Sequence, residues 1–149
     1  MRFNVGIPRK IVAAYGNFCK PLCKELGLTQ TAFDILMFLG NNPEYKTASE
    51  IVEIRRIKAN LVSMNVDRLV QESYLNRRSV QGDRRKTDLI CTEKAERVIE
   101  QGRQVQEAFS QRLFADMDAD TRTAFIRAME TLETTLNVML EEESSCGKY

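Results

Sequence analysis

The residues with the most obvious chemistry are the cations concentrated between Arg55 and Lys86. That segment holds nine basic residues against three acidic ones, a net charge of +6, whereas the whole chain carries +1. The segment from Asp116 to Glu143 holds eight acidic residues and two arginines, a net charge of −6. Such a concentration of positive charge in a nearly neutral chain is typical of a surface that binds phosphates. The basic residues are Arg55, Arg56, Lys58, Arg68, Arg77, Arg78, Arg84, Arg85 and Lys86.

Residues suited to catalysis or metal binding are scarce. The chain contains no histidine, so the commonest general base and metal ligand is missing. The sequence also lacks a glycine-rich phosphate loop and any recognisable nucleophile motif. We therefore predict a protein that is not an enzyme and has no catalytic residue, no metal site and no cofactor.

Cys19 and Cys23 leave a second interpretation open. They lie four residues apart, so on a helix they would share a face and could ligate a metal or form a redox pair. A cysteine also packs well as a small buried hydrophobic side chain. We favour packing for both residues, and for Cys91 as well.

The segment that begins at Lys58 has the periodicity of an amphipathic helix. Its apolar side chains share one face, and short polar side chains with one methionine lie opposite. A solvent-facing helix surface usually carries many long charged residues. The opposing face carries short polar ones and therefore differs from an ordinary solvent-facing surface. We predict that the apolar face packs inward. That face comprises Val62, Val66, Leu69, Val70 and Ser73, and the opposing face comprises Asn60, Met64, Asp67 and Gln71.

The periodicity then changes from helical to strand-like. Two short strands are predicted over residues 75–81 and 86–91, joined by a tip at 82–85, where glycine permits a tight reversal. A helix followed by a hairpin with a basic tip is the pattern of a winged helix-turn-helix. An ordinary helix and hairpin with a solvated charged turn has the same spacing, and the charge distribution favours the winged helix.

These blocks resemble the MarR-type winged helix-turn-helix transcriptional regulators. The flanking helical segments extend the resemblance over nearly the whole chain. It implies a mostly α-helical (α+β) fold, with a two-stranded wing and long N- and C-terminal dimerisation helices. The matching blocks, which align without gaps, are Val66-Asp67-Arg68-Leu69, Arg77-Arg78, Asp83-Arg84-Arg85 and Thr92-Glu93-Lys94.

Four residues depart from the pattern of that family. Arg56 and Ser73 stand where glycines are common. Met64 stands where a basic residue is frequent, and Cys91 replaces a usual leucine. These departures bear on which DNA sequence is preferred and not on the fold.

The resemblance implies a regulator that binds double-stranded DNA at a pseudo-palindromic operator. Asn60, Ser63 and Met64 would lie near base edges in the major groove, since Asn pairs with adenine and Met packs on thymine methyl groups. Arg85, held extended by Asp83, would enter the minor groove. The alternative is a winged-helix protein-interaction module whose basic face docks an acidic partner. The predicted phosphate ligands are Lys58, Arg68, Arg77, Arg78 and Arg84.

Further helices are predicted before this motif. A first helix begins near Pro8, is kinked or broken at Pro21, and ends at Gly27. Thr29 should cap a second helix, and residues 47–50 form a capping box for a third. The side chains of the third helix that should face inward are Ile51, Val52 and Ile54.

Two long helices with narrow apolar stripes are predicted after the wing. One begins near Glu93, and the other follows a cap at Asp118. Stripes so far from the winged motif have little partner surface in one small domain, so we predict a homodimer built from the first helix and these two. Packing within one chain is the alternative. The predicted dimer contacts are Ile7, Ile11, Phe125, Met129, Leu132, Leu136 and Met139.

A small-molecule site is expected where the first two helices meet the dimerisation helices. The resemblance favours a small aromatic ligand that weakens operator binding, and the cysteine pair raises the alternative of an oxidant. Core packing is the other role open to each of these side chains. The candidate ligand contacts are Tyr15, Phe18, Cys19, Met37 and Phe38.

The length of 149 residues corresponds to one domain. We predict a single MarR-like domain over 1–149, with a winged-helix DNA-binding lobe at 29–92, a helical dimerisation lobe at 1–28 and 93–143, and a loose tail at 144–149. Neither a membrane span nor a signal peptide is evident, and four scattered cysteines do not make a disulfide framework. We therefore expect a cytoplasmic protein.

Overall fold

The computed structural model describes residues 6–146, with side chains as far as residue 143. Over that range the chain is mostly helical with one two-stranded antiparallel sheet, which confirms the predicted fold class. The last helix extends through 144–146 of the predicted tail, and 147–149 lie outside the described residues. The elements are α1 (Gly6–Leu26), α2 (Gln30–Asn41), α3 (Ala48–Arg55), α4 (Ala59–Gln71), β1 (Leu75–Val80), β2 (Asp83–Cys91), α5 (Glu93–Leu113) and α6 (Ala119–Cys146).

The chain divides into two compact units, Met1–Phe109 and Ser110–Tyr149. Among the described residues, the buried apolar side chains all belong to the first unit. Its centre is α2, which is apolar on nearly every side and therefore buries side chains all round. None of the described helices is long and apolar enough to cross a membrane. The buried residues of α2 are Ala32, Phe33, Ile35, Leu36, Met37, Phe38 and Leu39.

A tight corner at residues 27–29 joins α1 to α2. Gly27 adopts a φ of 66°, and the N–H of Leu28 donates to the carbonyl of Cys23 at 2.9 Å, which together form a Schellman motif. The next residue, Thr29, caps α2 as predicted, because its hydroxyl accepts from the N–H of Ala32 at 3.1 Å. Two helix-terminal motifs therefore meet within three residues.

Pro21 does not break α1, which runs as one helix from Gly6 to Leu26. The predicted break is therefore wrong. Pro21 lies on an exposed part of the helix. Water can bond the carbonyl that the missing N–H of a proline leaves free, so the helix continues past it.

α3 begins with the predicted capping box. The Thr47 hydroxyl accepts from the N–H of Glu50 at 3.2 Å, and the Glu50 carboxylate accepts from the N–H groups of Lys46 and Thr47 at 2.8 Å each. These bonds, first the one from Lys46, lower the pKa of Glu50. Ile51 is buried, but Ile54 is 43% exposed, so its predicted inward orientation is wrong. It lies in the last turn of an eight-residue helix, past the turn that covers the core.

Two residues other than glycine adopt the left-handed backbone conformation. Arg56, at the C-terminal cap of α3, has a φ of 52°, and Ser73, just after α4, has a φ of 63°. A Cβ in this region crowds the following carbonyl and costs about 1–2 kcal/mol. These are the two positions at which the resemblance leads one to expect glycine.

We expect Arg56→Gly and Ser73→Gly each to raise the free energy of unfolding by about 1 kcal/mol. Glycine relieves the crowding, and its freedom in the unfolded chain offsets part of the gain. Denaturant unfolding measures the change, with Glu53→Gly in α3 as a control that should lose about 1 kcal/mol. If all three substitutions lower the unfolding midpoint, the left-handed positions are not strained.

The wing turns over two residues instead of the four predicted. The register pairs Leu75 with Cys91 at the base and Val80 with Asp83 at the turn. The predicted tip at 82–85 and the predicted second strand from 86 are therefore wrong, since β2 begins at Asp83. The register shifts between Ser79 and Val80, which leaves 84–86 without partners in β1. An irregular strand that carries consecutive cations has the same sequence pattern as a charged turn.

α5 crosses α2 closely at two glycines. A Cβ on Gly102 would lie 2.2 Å from the Met37 sulfur, and one on Gly40 would lie 2.6 Å from Ile99. Beside them, the Arg103 guanidinium donates to the Gly40 carbonyl at 2.9 Å. A cation at this end of α2 also complements the helix dipole. These contacts hold α5 against the centre of the core.

α6, in the second unit, buries none of its described side chains. Asp118 caps it as predicted by accepting from the N–H of Thr121 at 2.8 Å. Phe125 is half-buried and meets Phe114 edge to face, with the ring centroids 5.6 Å apart. An apolar stripe remains exposed along the rest of the helix. Its members are Ile126, Met129, Leu132, Leu136 and Met139, and Val138 is exposed on another side of the helix.

Candidate nucleic-acid interface

The exposed face of α4 carries the side chains predicted to read bases. Asn60, Ser63 and Met64 all face outward, and Met64 is 65% exposed. Ser73 departs from the predicted inward face, because it follows the helix in the left-handed conformation and is exposed. The rest of that face packs inward, and the buried residues of α4 are Val62, Asn65, Val66 and Leu69.

The N-terminus of α4 is suited to an anion. Lys58 occupies the cap position, is exposed, and makes no side-chain bond to the helix end. Free N–H groups and the positive end of the helix dipole favour negative charge at such a terminus. The ammonium of Lys58 adds a full positive charge at the same place.

Three of the predicted phosphate-binding arginines have acidic partners. Arg68 pairs with Glu72 at 2.8 Å, Arg77 pairs with Asp67, and Arg78 lies 3.5 Å from Asp88. Exposed pairs of this kind contribute little to stability and exchange easily. Arg77 and Arg78 can therefore turn to phosphates at small cost. Arg68 is also bonded to the backbone.

The wing presents Arg84 and Arg85 as exposed cations that form no ion pair with any described residue. The Asp83 carboxylate was predicted to hold the Arg85 guanidinium, and the structure does not have that contact. Its carboxylate instead accepts from the backbone N–H of Arg85 at 3.0 Å. This bond is a local turn that fixes the backbone at the start of β2. The Arg85 side chain is left free to reach outward.

Asn65 is a buried polar residue for which the sequence predicts no role. It is 6% exposed and lies on the core face of α4. Its amide donates to the Leu61 carbonyl at 2.8 Å and accepts from the Thr29 hydroxyl at 2.8 Å. Both ends of the side chain are therefore satisfied. The helical spacing of Asn65 indicates that it faces inward. It does not identify the partner, because Thr29 lies 36 residues away at the N-terminal cap of α2.

A cavity of about 220 Å³ lies between α3, α4 and the wing. That volume is below the usual range for pockets that hold drug-sized ligands. Its wall is mostly apolar, with a few polar groups at the rim. The polar side chains that line it are Ser49, Ser63, Arg77 and Thr87.

The predicted ligand contacts divide into a partly exposed pair and a buried group. Tyr15 and Phe18 each meet Phe109 edge to face, with centroids 5.4 and 5.3 Å apart. The Tyr15 hydroxyl accepts from Gln106 at 3.1 Å, and burial raises its pKa. Phe18 is 38% exposed. The buried group, which belongs to the core, comprises Cys19, Met37 and Phe38.

The two α1 cysteines are buried free thiols. Cys19 is fully buried and Cys23 is 7% exposed. Burial raises the pKa of the Cys19 thiol and raises that of Cys23 to about 11. Among the described residues, no cluster of cysteine and acidic side chains is arranged to hold a metal ion. The geometry therefore favours the packing role.

The sequence model of the MarR family matches residues 26–86. That segment runs from the end of α1 into the wing and includes α4 with its exposed face. Over residues 26–86 this chain is similar to the MarR family. The family consists of transcriptional regulators and not enzymes, in line with the prediction from the missing catalytic residues. No curated protein matches the sequence.

Solved structures of MarR-family proteins share the fold. A crystal structure of MarR has a TM-score of 0.80 at 20% identity, covering 95% of this chain and 99% of that one. A MarR transcriptional regulator from Methanosarcina mazei Go1 has a TM-score of 0.74 at 19% identity, covering 91% of this chain and 99% of that one. A MarR family transcriptional regulator from Listeria monocytogenes, complexed with a 26mer DNA, has a TM-score of 0.82 at 15% identity. The match covers 91% of this chain and 90% of that one.

The MarR-like block at 92–94 has a structural role in this chain. The Thr92 hydroxyl donates to the Ser73 carbonyl at 2.7 Å, and the Lys94 ammonium donates to the Glu72 carbonyl at 2.8 Å. Both acceptors lie in the turn between α4 and β1. The start of α5 therefore fixes that turn, and with it the position of the wing relative to α4.

Proposed function

We propose that the protein is a transcriptional regulator that binds double-stranded DNA as a homodimer at a pseudo-palindromic operator. The exposed polar face of α4, beside a wing whose Arg84 and Arg85 form no ion pair with a described residue, carries the proposal. An α-helix fits the major groove, and arginines favour a narrow minor groove. The Listeria neighbour, which shares the fold, was crystallised with DNA.

Lys58 and Arg84 are the proposed direct phosphate ligands, with Arg77 and Arg78 available after their exposed pairs exchange. Binding of a random-sequence duplex at several salt concentrations tests this, since each neutralised phosphate adds about 0.9 to the slope of log K against log salt. Lys58→Ala should reduce that slope by about one. If duplex DNA does not bind at all, the basic face is better explained by an acidic protein partner.

Dimerisation through α1 and α6 is proposed because both helices leave apolar side chains uncovered. Ile7 is 54% exposed and Ile11 is half-buried in α1. In α6 the predicted seam from Met129 to Met139 is exposed throughout its apolar positions. Apolar stripes of this extent are normally covered by a partner, and a second copy presents the matching stripe.

A small aromatic ligand is proposed to weaken operator binding. Tyr15 and Phe18 support it, because both lie on α1, a helix proposed to dimerise, and pack edge to face against the ring of Phe109. A ligand acts only by preferring a conformation that fits the DNA less well. Calorimetry against a panel of phenolic acids tests it, and binding that Phe18→Ala leaves unchanged would place the ligand elsewhere.

We expect peroxide to affect operator binding equally in the parent protein and in the Cys19→Ser/Cys23→Ser variant. An oxidant acts on the thiolate, and burial keeps both thiols protonated. Operator titrations before and after peroxide treatment provide the measurement. A response in the parent that disappears in the double variant would show that this pair senses oxidation.

A further inference from the structure

The proposed DNA-reading helix is attached to the α1–α2 corner, residues 27–29, by two side chains. The Thr29 hydroxyl donates to the Asn65 amide oxygen at 2.8 Å. One turn further along α4, the Arg68 guanidinium donates to the Gly27 carbonyl at 2.9 Å. Contacts one helical turn apart resist both rotation and tilt of a helix, whereas a single contact would allow either.

The orientation of the Asn65 amide is determined by its partners. The Thr29 hydroxyl already accepts from the N–H of Ala32, so its one proton is available for the Asn65 oxygen. The Asn65 nitrogen then donates to the Leu61 carbonyl. A buried amide that is satisfied in one orientation specifies how α4 sits on the corner.

Arg68 reaches the corner with its guanidinium while 43% of its side chain remains exposed. Its Nε donates to Glu72 at 2.8 Å, which holds the guanidinium plane while its other end reaches the Gly27 carbonyl. That carbonyl belongs to the Schellman motif that ends α1. The position of Arg68 is therefore determined by the end of α1 as well as by its own helix.

We propose that the corner at 27–29 sets the angle of α4, with Asn65 and Arg68 as positioning residues that do not themselves contact DNA. The inference rests on the proposed function, and it gives Arg68, a predicted phosphate ligand, a positioning role instead. The corner is rigid because two helix-terminal motifs share it. A change in the direction of α1 therefore changes the direction of α4.

The first test compares Arg68→Lys with Arg68→Ala on the duplex that the parent enriches from a random pool. Lysine keeps the charge but cannot bond to Glu72 and Gly27 together. Both variants should bind that duplex about tenfold more weakly, with the salt slope unchanged. If Arg68→Lys binds like the parent and Arg68→Ala lowers the slope by about one, Arg68 binds a phosphate and the proposal fails.

The second test separates positioning from folding. Asn65→Ala removes the bond to the corner and leaves the Thr29 cap, and Gln101→Ala, at an exposed position of α5 outside the winged motif, is the control. Asn65→Ala and Thr29→Ala should each weaken binding to the enriched duplex about tenfold and hardly change binding to a shuffled duplex. Thr29→Ser should bind the enriched duplex like the parent. Equal weakening on both duplexes would mean a role in folding alone, which overturns the proposal.

Hydrogen exchange on the free protein gives a readout that needs no DNA. Asn65→Ala and Arg68→Lys should each raise exchange in the peptide that covers α4 several-fold and leave α5 unchanged. Parental exchange in α4 would show that the corner does not hold it. A parent protein with no preferred duplex would contradict the proposed function, while the exchange data would still decide whether the corner holds α4.

Discussion

Leu132→Asp is expected to convert the dimer to monomers and to abolish tight operator binding. Leu132 is 46% exposed on α6, a helix whose described side chains are nowhere fully buried. In the proposed dimer it lies mid-seam, where a carboxylate would be desolvated without a partner at a cost of several kcal/mol. A monomer contacts one half-site and loses the gain from binding both.

The matched control is Thr134→Asp, which adds the same charge on the opposite side of α6. Thr134 is exposed, and its hydroxyl bonds only to the Glu130 carbonyl in its own helix among the described contacts. Sedimentation velocity should show monomers for Leu132→Asp and for Leu136→Asp, and dimers for the control. An undisturbed dimer for both leucine variants would remove α6 from the interface.

Arg85→Ala is expected to cost about 1–3 kcal/mol of binding and to flatten the preference for A·T-rich flanks. Arg85 is exposed and unpaired in the described part of the chain, and its backbone is held by Asp83. A narrow A·T-rich minor groove has an enhanced negative potential that attracts arginine, so the contact depends on groove width more than on base identity.

Neighbouring substitutions separate insertion from simple attraction. Arg84→Ala should weaken binding to all DNA sequences alike and lower the slope of log K against log salt by about one. Asp83→Ala should behave as a milder Arg85→Ala, whereas Asp83→Asn keeps the acceptor for the Arg85 N–H and should bind at least as well as the parent. The variants are titrated on A·T-flanked and G·C-flanked duplexes at two salt concentrations. If Arg85→Ala keeps the parental flank preference, the wing acts only as an electrostatic clamp.

The face of α4 and the basic surface were predictable from the sequence because both depend on local spacing. Val62, Val66 and Leu69 recur at helical intervals, so one period determines which side is buried and which side carries Asn60 and Met64. Caps at Thr29, Thr47 and Asp118 are equally local, because each bonds to a residue three positions ahead.

What the sequence did not predict depends on contacts between distant elements. Thr29 and Asn65 are 36 residues apart, so the buried amide could not be assigned a partner in advance. The pairs of Arg77 and Arg78 follow from how β1 lies beside α4 and β2, and that register depends on the irregularity near Val80. Exposure of Ile54 reflects where the core stops, which helical spacing does not report.

Selection of bound sequences from a random pool of duplexes tests the central claim most directly. The proposed dimer with one α4 per chain should enrich a pseudo-palindrome whose half-sites are centred about one helical turn, roughly 34 Å, apart. A·T-rich flanks should appear where the wings reach the minor groove. A pool that remains random, or that yields one isolated half-site, would contradict a dimer that reads DNA with two copies of α4.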